Sequence, residues 1–178
     1  MIPNALSIFR ILSVIPIVIL FFLQFYILAT ALFLISSITD YFDGYIARRF
    51  NQESDFGSLL DLLADKILVT SLLIWFIFSS NSFLILLSSY LIILREIAVS
   101  SLRIHFLVLG NNLKEIKPNL FGKVKTSIQM IAIALILISH DFDQKYIMQA
   151  SVFLFISSLI SLASLHNYYS TWSSNNKL

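Results

Sequence analysis

The sequence predicts an all-α membrane protein: a bundle of six transmembrane helices with both termini on the cytoplasmic side. Three observations predict it. The chain is 58% hydrophobic and 12% charged, with a mean hydropathy of +0.86, whereas a soluble domain carries about 25% charged residues. The span from Ile67 to Leu94 holds no charged residue at all. A helix crosses the hydrocarbon layer in about 20 residues. The 178 residues therefore accommodate six crossings and leave no room for a separate soluble domain. Residues 1–178 read as a single transmembrane domain. There is no Cys, so neither disulfides nor thiolate metal ligands contribute.

The first segment runs from about Pro3 to Phe25. Pro3 suits a first helical turn, and Pro16 is expected to kink the helix. Arg10 lies deeper than membrane anchoring needs. No small-residue cleavage site precedes the next apolar stretch, so the segment reads as retained and not as a signal peptide. The second segment spans Tyr26 to Arg49 and carries Asp40 and Asp43 in its second half. Residues Phe50–Ser54 form a polar connection. The third segment, Asp55 to Phe78, holds Asp61, Asp65 and Lys66 in its first half, and Ser79–Ser82 is an uncharged turn.

The fourth segment, Phe83 to Leu107, is interrupted by Arg95, Glu96 and Arg103. Leu109–Asn119 is a polar loop with Lys114 and Lys117. The fifth, Leu120 to Ser139, opens with Lys123 and Lys125. His140–Lys145 is a turn, and the sixth segment runs from Tyr146 to Tyr168 before a polar tail. Of twelve Lys and Arg residues, only Lys145 falls near a turn on the far side. The positive-inside rule makes the other side cytoplasmic.

Four carboxylates break this apolar pattern. Asp40 and Asp43 are three residues apart, and Asp61 and Asp65 are four apart, so each pair shares a helix face. Asp43 lies seven residues before the Phe50–Ser54 connection and Asp61 seven after it, which places the two pairs at similar depth in the cytoplasmic half of the membrane. Two unit charges about 4 Å apart repel by ~4 kcal/mol at an effective dielectric of ~20. Four ionised acids need a strong counter-charge, and hard oxygen ligands suit Mg²⁺ or Mn²⁺.

The full spacing is D-x-x-D-G-x-x-A-R, eight residues, then G-x-x-x-D-x-x-x-D, filled by Asp40, Asp43, Gly44, Ala47, Arg48, Gly57, Asp61 and Asp65. This resembles the signature of the CDP-alcohol phosphatidyltransferase family. Further residues resemble its phosphatidylglycerophosphate-forming branch: Pro3-Asn4 followed by Arg10, Arg95-Glu96-Ile97, Ser101-Leu102-Arg103, Gly122 to Thr126, and Gln129-Met130. The resemblance covers residues 2 to 135. It implies transfer of a phosphatidyl group from CDP-diacylglycerol to sn-glycerol 3-phosphate, with release of CMP. It assigns metal binding to Asp40, Asp43 and Asp61, and the general-base role to Asp65, which also sits within reach of a metal.

Carboxylates at these positions can hold two divalent ions against a diphosphate. Gly44 and Ala47 leave room for the nucleotide of CDP-diacylglycerol, Gly57 leaves room or allows close helix packing, and Arg48 can pair with phosphate. A dianionic acceptor needs a basic pocket, for which Arg95, Arg103, Lys123 and Lys125 are the candidates. The resemblance also implies a homodimer in a bacterial cytoplasmic (inner) membrane, its site facing the cytoplasm. Two positions depart from the branch. Leu62 replaces a usual Pro and is expected to straighten the third segment, and Leu94 replaces a usual Gly and is expected to narrow the acceptor pocket.

Plainer readings stand beside these. The acids can pair with Arg48, Arg49 and Lys66, although intramembrane acids are costly and usually functional. Lys66 is more readily a neutraliser of a neighbouring Asp than a substrate contact. Arg95 and Glu96 can form a structural pair, and Lys123 and Lys125 can attract anionic headgroups. His105, His140 and His166 have no partner at ligand spacing. Two other functions fit the same acids: the same chemistry with serine, inositol phosphate or phosphatidylglycerol as acceptor, and, more remotely, a divalent-cation transporter.

Overall fold

Hydrocarbon offers no partner for a backbone N–H or C=O, so an apolar chain of this kind satisfies its backbone within helices. The computed structural model is all-helical in the residues it describes, which are 2–49, 55–108, 120–142 and 144–175, with side chains described at 4–39, 57, 60, 61, 63–101, 126–142 and 145–166. The helices are α1 (Ile2–Phe22), α2 (Tyr26–Arg49), α3 (Asp55–Ser79), α4 (Phe83–Val108), α5 (Leu120–Ser139) and α6 (Gln144–Asn175). Among the described residues, three are long and apolar enough to cross a membrane, over Asn4–Phe22, Phe83–Ser101 and Lys145–His166, with shorter apolar stretches at Tyr26–Thr39 and Thr126–Ser139. The protein is an integral membrane protein.

The expected boundaries of α2 and α5 match, and α3 and α4 each run one residue further. Two elements differ more. The first helix ends at Phe22 and not Phe25, because Gln24 adopts a left-handed conformation at φ 65°. There the Gln24 N–H donates to the Phe21 carbonyl at 3.0 Å and the Phe25 N–H to the Leu20 carbonyl at 2.9 Å. This is the paired closure of a Schellman cap. The sixth helix starts at Gln144 and reaches Asn175, beyond the expected Tyr146–Tyr168, since no Gly or Pro interrupts it. Pro16 lies within a continuous α1.

Contacts fix the directions of the helices. Arg10, near the start of α1, meets Asp61 and Asp65, near the start of α3. Phe21, near the end of α1, meets Trp75 and Phe76, near the end of α3. The two helices are therefore parallel. The His140 ring, just past α5, lies 4.7 Å from Phe21 and 5.3 Å from Tyr26, so α5 ends beside them. One end of the bundle is thus aromatic and the other carries the acids. The His140 Nδ1 also lies 2.9 Å from the Ile136 carbonyl, so His140, which lacked a partner in the sequence reading, belongs to an aromatic band of the kind found at membrane interfaces.

Helix α1 packs on α2 and α3, α2 on α5, α5 on α6, α6 on α4, and α4 on α3. The circuit closes around a core of Ile17, Phe33, Leu68, Leu72, Phe76, Ile92, Ile133 and Ile136, with α3 touching α5 inside it. Among the described residues, α2 and α3 form no extensive pairing of their own. Helix α1 packs on both of them. Several buried hydroxyls bond back to carbonyls of their own helix, as at Ser36 to Leu32, Ser88 to Leu84 and Ser158 to Phe155, so these need no partner from a neighbour.

Gln24→Gly removes a left-handed cost of about 1 kcal/mol. Thermal unfolding in detergent should show a higher melting temperature than wild type with an unchanged helical spectrum.

Candidate active site

The site is built where the starts of α1 and α3 meet. The i, i+4 spacing sets Asp61 and Asp65 one turn apart on one face of α3. Arg10 projects between them from α1. Its Nη1 donates to Asp61 Oδ1 at 3.1 Å and to Asp65 Oδ1 at 2.9 Å. The Arg10 side chain is 0% exposed, whereas those of Asp61 and Asp65 are 43% and 38% exposed. The acids thus look outward from a fully buried cation. Removing one partner of a fully buried ion pair costs about 3–5 kcal/mol, and the exposure of these carboxylates lowers that figure.

This contact is the element that sequence reasoning missed. Arg10 stood out as an ionisable residue within an apolar helix, which is the signal that marks function in membranes, but no spacing rule ties α1 to α3. Arg10 pairs with both Asp61 and Asp65. Lys66 donates from Nζ to Ser100 Oγ on α4, and the Ser100 hydroxyl donates to the Glu96 carbonyl at 2.6 Å.

Asp40, Asp43, Gly44, Ala47 and Arg48 lie in the last half of α2, and their side chains fall outside the described residues. So do those of Arg103 near the end of α4 and of Lys123 and Lys125 in the first turns of α5. Gly57 is in the first turn of α3. Along the chain, the acids of α2 precede its end by about the rise that separates Asp61 and Asp65 from the start of α3, at ~1.5 Å per residue. Helix α3 is continuous through Leu62. Leu94 is exposed and Arg95 buried, since adjacent side chains diverge by about 100° around a helix.

Arg95 forms the structural pair that the sequence allowed. Its Nη1 donates to Glu96 Oε1 at 3.0 Å and its Nη2 to Ser164 Oγ on α6 at 3.1 Å. The guanidinium thereby ties α4 to α6. With Lys66–Ser100, a polar chain runs from α3 through α4 to α6.

A helical bundle with an intramembrane acid signature defines a class, and the family model for CDP-alcohol phosphatidyltransferase matches residues 1–163. The chain belongs to that family, a finding that carries the similarity past residue 135 into α6. A CDP-diacylglycerol--glycerol-3-phosphate 3-phosphatidyltransferase of Wigglesworthia glossinidia brevipalpis is 38% identical over 171 residues, covering 94% of this chain and 92% of the relative. Proteins of the same description from Salmonella typhimurium and Shigella flexneri are 34% and 33% identical over 172 residues, covering 95% of this chain and 93% of each relative.

The family uses divalent metal ions. The donor chemistry suits such an ion: Asp61 and Asp65 present hard carboxylate oxygens one helical turn apart, and both side chains are about two-fifths exposed. Asp61 and Asp65 would hold the ion from α3, facing Asp40 and Asp43 of α2 in the sequence reading.

Ser164→Ala deletes a hydrogen bond to a charged group, worth about 1.5–3 kcal/mol. It should lower the thermal melting temperature in detergent while leaving the metal concentration needed for half-maximal activity unchanged.

Proposed function

We propose that this chain transfers the phosphatidyl group of CDP-diacylglycerol to sn-glycerol 3-phosphate, giving phosphatidylglycerol phosphate and CMP. The observation that carries the proposal is the complete acid signature, two of whose carboxylates, Asp61 and Asp65, sit one turn apart on α3 with about two-fifths of each side chain exposed. Relatives aligned over nearly the whole chain are named for the same transfer.

Asp40, Asp43, Asp61 and Asp65 hold two Mg²⁺ or Mn²⁺ ions. Ions bound there offset the charge of the diphosphate and of the departing phosphate. Gly44, Ala47 and Gly57 leave space for the cytidine diphosphate, and Arg48 pairs with it. The diacylglycerol tails lie in lipid between helices. Arg103, Lys123 and Lys125 receive the acceptor phosphate, and Arg95 supports them from a deeper level, where Glu96 and Ser164 fix its guanidinium. Asp65 accepts the proton of the acceptor hydroxyl. That oxygen bonds to the phosphorus attached to diacylglycerol, the bond from this phosphorus to the bridging oxygen breaks, and CMP leaves with that oxygen.

The proposal extends to the setting. Residues 1–178 form one domain of six transmembrane crossings in a bacterial cytoplasmic membrane. Both termini and the acid end of the bundle face the cytoplasm, where glycerol phosphate is available, and the chain works as a homodimer.

The test is CMP release by detergent-purified protein given CDP-diacylglycerol, Mg²⁺ or Mn²⁺, and one acceptor at a time. Release with glycerol 3-phosphate alone is expected, with phosphatidylglycerol phosphate as the lipid product. Asp61→Ala and Asp65→Ala should each lose at least about a hundredfold in rate while still inserting into membranes, a loss in the range of general acid–base catalysis. Near-normal turnover by either variant overturns the site, and CMP release with serine or inositol phosphate instead overturns the acceptor.

A further inference from the structure

The strongest feature outside the acid signature is Arg10. It is the largest side chain in the protein with no exposure among those described, and such a charge persists in a bundle only when partnered. Its partners include two acids of the proposed metal site, both contacted by one nitrogen. A guanidinium nitrogen carries two hydrogens in a fixed plane, so Nη1 can point one at each carboxylate. We infer that Arg10 is a positioning residue for metal loading: it holds the Oδ1 atoms of Asp61 and Asp65 from the α1 side, so that both carboxylates present their other oxygens toward α2 in one fixed arrangement. The inference rests on the metal site proposed above.

Three observations support a metal-directed role over simple packing. Burial is asymmetric. The cation is sealed in and the carboxylates are two-fifths exposed, so the pair is open on the side a ligand would use. Helix α1 packs on both α2 and α3, so a residue fixed on α1 sets the acids of α3 relative to the helix that carries the other two. Charge balance also favours it. Four carboxylates and a diphosphate outweigh two divalent ions, and a buried guanidinium reduces the excess negative charge without occupying a coordination position. Residues that orient metal ligands in this way change metal affinity or activity about 10–100-fold when altered.

The experiment uses the full chain in detergent, with Arg10→Lys, Arg10→Met and Asp61→Ala beside wild type. Binding of Mn²⁺ alone is titrated from the electron paramagnetic resonance signal of the free ion, and the half-saturating Mn²⁺ for CMP release and the KM for CDP-diacylglycerol are measured in parallel. Helical content and thermal melting establish folding, and Arg10→Lys, which keeps the buried charge, is decisive where Arg10→Met fails to fold. The expected result is folded Arg10→Lys with at least about tenfold weaker Mn²⁺ binding, a matching rise in half-saturating Mn²⁺ for CMP release, and little change in KM for CDP-diacylglycerol at saturating metal. Wild-type Mn²⁺ affinity in folded Arg10→Lys overturns the inference and leaves the metal site standing. Wild-type Mn²⁺ affinity in Asp61→Ala overturns the metal site and the inference with it.

Discussion

A carboxylate inside a membrane has to be answered by a positive charge, and most of this architecture follows from where that charge is placed. Arg10 supplies it for Asp61 and Asp65. The contact brings the starts of α1 and α3 together and makes them parallel, so their ends meet through Phe21, Trp75 and Phe76. Helix α1 packs against both acid-bearing helices, α2 and α3. In hydrocarbon, apolar side chains gain little by leaving lipid for a neighbouring helix. The polar contacts tie α1 to α3, α3 to α4 and α4 to α6, and the Leu, Ile and Phe residues fill the space between the helices.

The remaining charges follow the same logic. Lys66 follows Asp65 directly in sequence yet turns to Ser100, because adjacent helical residues point in different directions. Arg95 is answered by Glu96 and by a hydroxyl from α6. The acid-bearing helix is thereby connected through α4 to the last helix of the chain, which the sequence alone presented as a plain hydrophobic span.

Much of this was legible beforehand. Helix number and both ends of four helices, to within one residue, follow from apolar run length, and the two acid pairs follow from i, i+3 and i, i+4 spacing. What escaped was of two kinds. The end of α1 depends on a glutamine in a left-handed conformation, where glycine is the residue that announces such a turn. The Arg10 bridge joins residues more than fifty positions apart, and no periodicity links them.

The buried serines of α4 and α6 have a consequence for how such a sequence can drift over time. Ser88 and Ser89 of α4 and Ser157, Ser158, Ser161 and Ser164 of α6 are all buried, along two helices that pack extensively on each other. Ser88 and Ser158 spend their hydroxyls within their own helix, so what these positions contribute to the pairing is small size. Ser, Ala and Gly are interchangeable there to a first approximation, and a branched residue is not. Ser164 alone is held by polarity as well as volume, because Arg95 uses its hydroxyl. Variation along this seam is thus confined by steric bulk, while the lipid-facing surface of the same helices is free to exchange one large apolar residue for another.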